Sequence, residues 1–256
     1  MQGEQKTFWE HLDDLRVVIF RIVACLAVLS VVLFCLKDYL FAIVLAPSKA
    51  DFVLYQVLTA LAPPDMGPEQ FSSQLINTEL TGQFMIHLQV SFYGALILGS
   101  PFVLWQVFNY LSPALYNNER RLLFGVITSG SLLFFIGVAL SYFLIFPLSF
   151  RFLVLYQVSE EVSNMIQLSS YIDTMMLLSL MMGILFELPL VAILLAKFGF
   201  IGSALMSRYR RHAILAILIV AAVITPTTDI FTLLIVSLPI YVLYEASILA
   251  VRIMGR

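Results

Sequence analysis

MMLLSLMMGILFELPLVAILLA, Met175 to Ala196, is a lipid-like run of 22 positions that carries a single charge, Glu187. The run is long enough to cross a hydrocarbon core of about 30 Å. An ionisable side chain at that depth costs at least ~2.5 kcal/mol on insertion scales, so Glu187 faces a helix bundle or a wet cavity and needs a polar partner there. Pro189, two residues on, removes a backbone donor and leaves the carbonyl of Leu185 without its helical partner, which predicts a kink and polar backbone near the carboxylate. Two sources of a partner stay open. One is the chain itself, through Gln106 or Gln89 of the second span, and the other is a group brought by another polypeptide.

The rest of the chain repeats the pattern. Of 256 residues, 61% are hydrophobic and 12% charged, against roughly 25% charged in a soluble domain. The mean hydropathy is +0.97. Apolar stretches run from Val17 to Leu36, Phe84 to Leu111, Leu122 to Phe146, Met175 to Ala196, Ala213 to Ile224 and Ile230 to Val251. They predict an all-α membrane protein with six transmembrane helices, a single polytopic unit over residues 1–256. The start, MQGEQKTFWEHLDDLR, is acidic and has neither the basic start and cleavage site of a signal peptide nor an Arg-rich transit composition, so the first helix is expected to be retained. With the N-terminus inside, the inner side holds Lys6, Arg16, Arg120, Arg121, Lys197, Arg208, Arg210, Arg211, Arg252 and Arg256, and the outer side Lys37, Lys49 and Arg151. That bias predicts both termini in the cytoplasm. The net charge of −2 gives no electrostatic reason to expect a nucleic-acid partner. Cys25 and Cys35 are about 15 Å apart along one helix, too far to bridge, and read as core thiols.

Between the spans, Lys37 to Gln83 carries Pro47, Pro63, Pro64 and Pro68 and predicts an external cap of short helices. A second external loop is expected from about Pro147 to Tyr171. The fifth span, Ala213 to Ile224, amounts to about 18 Å of helix. Either the bilayer thins beside it or neighbouring spans shield its ends.

Three places could carry recognition chemistry. In the N-terminal segment Phe8, Leu12 and Leu15 form an apolar stripe consistent with an interfacial helix. Glu10 fits a capping box with Thr7, whereas Asp14 has no capping role and lies nearer the first span, which makes it the better binding candidate. Glu119, in PALYNNERR before the third span, either serves the positive helix start locally or offers a rigidly held carboxylate to a guanidinium. Glu187 is the third. Glu245, near the inner end of the last span, is expected to reach the interface. His11, His87 and His212 share no helical spacing, which argues against a metal site. Phosphate-loop, dinucleotide and nucleophile-elbow motifs are missing from the sequence. Neither an enzyme nor a cofactor is expected.

HLDDLR (His11 to Arg16), SPALYNNERR (Ser112 to Arg121), YFLIFPLSFRFL (Tyr142 to Leu153), FELPL (Phe186 to Leu190), TPTTD (Thr225 to Asp229) and LPIYVLYE (Leu238 to Glu245) occur in this order. Together they resemble the successive hallmarks of the TatC family, the multispanning subunit of the twin-arginine protein translocase. The resemblance implies a concave six-helix bundle in the bacterial cytoplasmic (inner) membrane that binds the Arg-Arg signal peptides of folded proteins. It places Asp14 and Glu119 in the cytoplasmic signal site, with Glu10 and Arg16 of the same segment as further candidates. Glu187, with Gln106 as an intramembrane polar neighbour, would meet the single-span TatA-type and TatB-type partners. Pro47 and Asp229 match the family's proline and aspartate of the first and last external loops. Further copies of the chain are expected in the complex. Asp14 stands where the family usually has glutamate, one methylene shorter, and TPTTD replaces a Thr-Pro-Pro-Asp-like turn.

The local physics also admits a proton-coupled secondary transporter with Glu187 as proton carrier, or a purely structural scaffold. The ordered motifs favour the translocase.

Overall fold

The computed structural model describes residues 8–61, 74–115, 120–156, 159, 164–225 and 229–254. The first helix, α1, runs unbroken over Phe8–Cys35. The expected interfacial segment is therefore the first turns of the span itself, because no glycine or proline between Phe8 and Cys35 stops the helix. It packs antiparallel on α4, Gly82–Leu115. A β-carbon at Gly94 would meet Leu33, and one at Gly99 would meet Leu26 and Leu29. The outer face of α1 is left to lipid, and within its span no residue is buried. Cys35 is exposed and Cys25 only part-buried, which corrects their reading as core thiols: in a membrane, an apolar position faces lipid as readily as protein.

Between α1 and α4 come α2, Lys37–Val44, a 3₁₀ turn at Ala46–Ser48 and α3, Val53–Leu61. The two helices meet at a bend of 41°. Their joint length would suffice to span a bilayer, and the bend between them is held by three tyrosine hydroxyls. Pro47 has no N–H, so the carbonyl of Ile43 loses its donor. Tyr142 donates to that carbonyl at 2.7 Å, Tyr171 donates to Val44 O at 2.9 Å, and the Tyr55 hydroxyl lies 3.0 Å from Pro47 O and 3.1 Å from Pro147 O. Each orphan carbonyl of the bend thus has a donor from elsewhere in the chain, as burial demands.

The third span is longer than expected. Helix α5, Arg120–Leu140, passes through one π turn at Ser141–Ile145 into α6, Phe146–Leu155. Pro147 does not end it, since it occupies the first turn after the π turn, where a missing N–H is tolerated. The second loop accordingly begins near Tyr156 instead of Pro147. It returns through Ile166–Gln167 (β2), which pairs in parallel with Leu75–Ile76 (β1) and ties the two loops together.

The fourth span is α7, Leu168–Phe186, and α8, Leu188–Lys197, broken at Glu187. A short α9, Ser203–Arg208, leads to α10, Arg210–Ile224, and α11, Ile230–Met254, closes the chain. Among the described residues, five helical runs are long and apolar enough to cross a membrane, Leu12–Cys35, Gly82–Tyr110, Gly125–Leu155, Leu168–Lys197 and Ile230–Ile253. The sixth crossing is α10. It has 15 residues, three more than the apolar stretch alone, because the helix starts at Arg210. At 1.5 Å per residue it is still only about 22 Å long.

Candidate functional site

Glu187 sits where α7 gives way to α8. Pro189 cannot donate to Leu185 O, the helix yields, and the chain restarts with Val191 N donating to Glu187 O at 2.9 Å. The carboxylate at this break meets α5. A β-carbon at Gly130 would stand 3.1 Å from Glu187 Oε2 and 3.1 Å from Leu190 Cδ2, so glycine is what lets α5 come this close. Further along the same contact, a β-carbon at Gly137 would fall 2.5 Å from the backbone oxygen of Met182, and one at Gly183 2.7 Å from the Phe134 ring. Small residues at a helix interface are how membrane helices gain packing without a hydrophobic drive.

Both carboxylate oxygens of Glu187 are buried, and among the described residues neither has a hydrogen-bond partner. The intramolecular pairing that the sequence left open is not made. Gln89 donates instead to Asp173 on α7, and Gln106, buried on α4, does not reach Glu187. A buried carboxyl without a partner is costly, and an incoming polar group would offset that cost.

The second region is one end of the bundle. The register that sets Gly94 against Leu33 and Gly99 against Leu26 and Leu29, continued along both helices, puts Asp14 level with about Pro113. The four-residue link from α4 to α5, which carries Glu119, follows directly. Asp14 and Arg16 are exposed on α1. Glu119 lies outside the described residues, and so does the side chain of Glu10. By connectivity Lys197, Arg208, Arg210 and Arg252 belong to this end as well. There Arg210 Nη2 reaches Glu245 Oε2 at 2.8 Å, to which Tyr241 adds a hydroxyl at 3.3 Å from Oε1, so Glu245 holds α10 to α11 at the rim.

Pro47 and Asp229 take local tasks. Pro47 is fully buried at the α2–α3 bend. Asp229 Oδ2 accepts from Thr232 N at 2.6 Å and caps α11. The sequence reading missed Gly130, the three tyrosines of the bend, and Arg151, whose guanidinium stands 5.6 Å over the Tyr55 ring. Burial pushes the Tyr55 hydroxyl above its ordinary range, and the Arg151 charge partly opposes that. A proline whose i−4 carbonyl needs a donor, in a chain with tyrosines at span ends, was the available signal.

Six crossings, one of them broken around a buried carboxyl, and a charged rim define a multi-pass membrane protein. The family profile described as Sec-independent protein translocase protein (TatC) matches residues 10–239. The chain belongs to the TatC family and is a protein translocase subunit of a transport family. It is 33% identical over 254 residues to Sec-independent protein translocase protein TatC of Blattabacterium sp. subsp. Periplaneta americana, covering 96% of this chain and 95% of the relative. With the Campylobacter jejuni protein of the same name it shares 31% over 242 residues, 94% and 92% of the two chains. Among solved structures it is similar to the crystal structure of Twin Arginine Translocase Receptor-TatC, with a TM-score of 0.77 at 27% identity over 96% of this chain and 100% of that one. The same receptor in DDM gives a TM-score of 0.78 at 27% identity, covering 94% and 99%.

Proposed function

We propose that this chain is the signal-peptide receptor and core subunit of a twin-arginine translocase in a bacterial cytoplasmic membrane, with both termini cytoplasmic and the α2–α3 cap outside. The observation that carries the reading is the antiparallel register of α1 and α4, which brings exposed Asp14 level with the end of α4 near Pro113, a few residues before Glu119 in the chain. Two carboxylates at one rim suit a peptide with two adjacent arginines. Each guanidinium can donate two parallel hydrogen bonds to a carboxylate, and charge-assisted bonds contribute about 1.5 to 3 kcal/mol each. Lysine has no such fork. Glu10 and Arg16, on the same helix start, flank the peptide.

The same reading gives Glu187 to the recruited TatA-type and TatB-type single-span subunits. A polar side chain on an incoming helix would satisfy the carboxyl that the described residues leave without a partner. Gln106 belongs to that polar interior. Pro47 and Asp229 act on partners indirectly, by fixing the cap and the start of α11. Further copies of the chain complete the assembly. Photo-crosslinking from positions 14, 119 and 187, with and without an Arg-Arg precursor, tests this. The precursor should label the first two, and a single-span subunit the third. Labelling that ignores the precursor at positions 14 and 119 would remove the receptor assignment.

A further inference from the structure

A groove of about 410 Å³ opens between α3, α6 and the start of α11, lined by Leu58, Leu148, Arg151, Phe152, Leu155, Tyr156 and Phe231. We propose that it binds an anionic phospholipid, with Arg151 gripping the phosphate.

The walls are apolar except at one point. Leu148, Arg151, Phe152 and Leu155 fall at i, i+3, i+4 and i+7, one face of α6, and Phe152 stacks on Phe231 with ring centroids 4.1 Å apart to close the floor. A guanidinium in such a place calls for an anion. Among the described residues Arg151 makes no ion pair, and its recorded contact is the face of Tyr55. That ring is anchored through its hydroxyl between the Pro47 and Pro147 carbonyls, so the guanidinium rests on a fixed platform with its planar fork available for a phosphate.

Depth selects a lipid over a soluble anion. Arg151 lies four residues before the end of the span that closes at Leu155, about 6 Å from its end and therefore at headgroup level. Tyr156 is exposed beside it, in the position where aromatic side chains mark a membrane boundary. The volume accepts a phosphoglycerol and the first methylenes but not two acyl chains. Those would leave over Ile230, Leu234 and Leu238, exposed large apolar residues along α11. A lipid held there touches the cap, α6 and α11 at once, and couples cap position to lipid charge.

The test is native mass spectrometry of the purified full chain in detergent, titrated with dioleoylphosphatidylglycerol or dioleoylphosphatidylcholine. The wild type should retain the anionic lipid at about a tenfold lower concentration than the zwitterionic one, the scale of one charge-assisted contact. Arg151→Gln should erase that preference, Arg151→Lys should keep part of it, and Arg208→Gln, at the other end of the bundle, should leave it intact. Inorganic phosphate should not displace the lipid. Equal retention of the two lipids by the wild type, or an undiminished preference in Arg151→Gln, overturns the assignment. So does displacement by phosphate, which would mean a small-anion site. If Arg151→Gln does not fold, the wild-type comparison and Arg151→Lys still decide. A single-span subunit that crosslinks to Leu155 and excludes the anionic lipid would give the groove to a protein and also overturn it.

Discussion

The carboxylate of Glu187 lies against the backbone of Gly130, so close that a β-carbon there would stand 3.1 Å from Oε2 and 3.4 Å from Oε1. The break in the fourth span and helix α5 of the third are therefore fitted to each other at this glycine. Gly130→Ala forces the carboxylate and Leu190 to shift by a few tenths of an ångström, and both are side chains that can move. Gly137→Ala meets the Met182 carbonyl, which is backbone and cannot. Thermal unfolding in detergent should show a small loss for Gly130→Ala and a larger one, in the range of about 1 to 3 kcal/mol for overpacking, for Gly137→Ala. The reverse order would mean that the α5–α7 contact is not set as described.

Tyr171→Phe removes the donor to Val44 O, where the α2–α3 bend has no backbone substitute. A buried carbonyl left unpaired costs about 1 to 3 kcal/mol. Limited proteolysis of the cap should become faster while the spans stay protected. Unchanged cap protection would show that the hydroxyl does not hold the bend.

Asp229 separates a cap from a docking contact. Asp229→Ala should lower stability by about 1 kcal/mol through loss of the Thr232 N–H contact, and Asp229→Asn should keep most of it. If both variants fold as stably as the wild type yet lose partner crosslinks, the residue serves docking and not the helix.

The shortness of α10 gives a dependence on lipid length. Its 15 residues, about 22 Å, fall short of a hydrocarbon core of about 30 Å. Activity reconstituted in lipids of increasing chain length should decline as the core thickens, because mismatch costs fractions of a kcal/mol per Å. Indifference to chain length would mean that neighbouring helices shield its ends.

The spans were legible because a run of about 20 apolar residues admits few other readings. Even the break at Glu187 followed from Pro189. What stayed hidden depends on partners far away in sequence. The bend at Pro47 draws its hydroxyls from Tyr142 and Tyr171, 99 and 127 positions from the carbonyls they serve, and no local pattern marks such a pair. Hydropathy also cannot tell lipid from core, so Cys25 and Cys35 were placed in the interior when Cys35 is exposed and Cys25 only part-buried. Pro147 misled for a different reason, since proline ends a helix in its interior but not in its first turn. At the rim, the candidates Asp14 and Glu119 came from residue chemistry and family resemblance, while the register that brings Asp14 level with the end of α4 needed the fold.

The receptor claim is tested most directly by the affinity of the purified chain for a fluorescent Arg-Arg signal peptide and for its Lys-Lys counterpart. The wild type should bind the Arg-Arg peptide at least about tenfold more tightly, as expected for the loss of charge-assisted forks, and Glu119→Gln with Asp14→Asn should abolish that difference without altering thermal unfolding. An unchanged preference in the folded double variant would contradict the account.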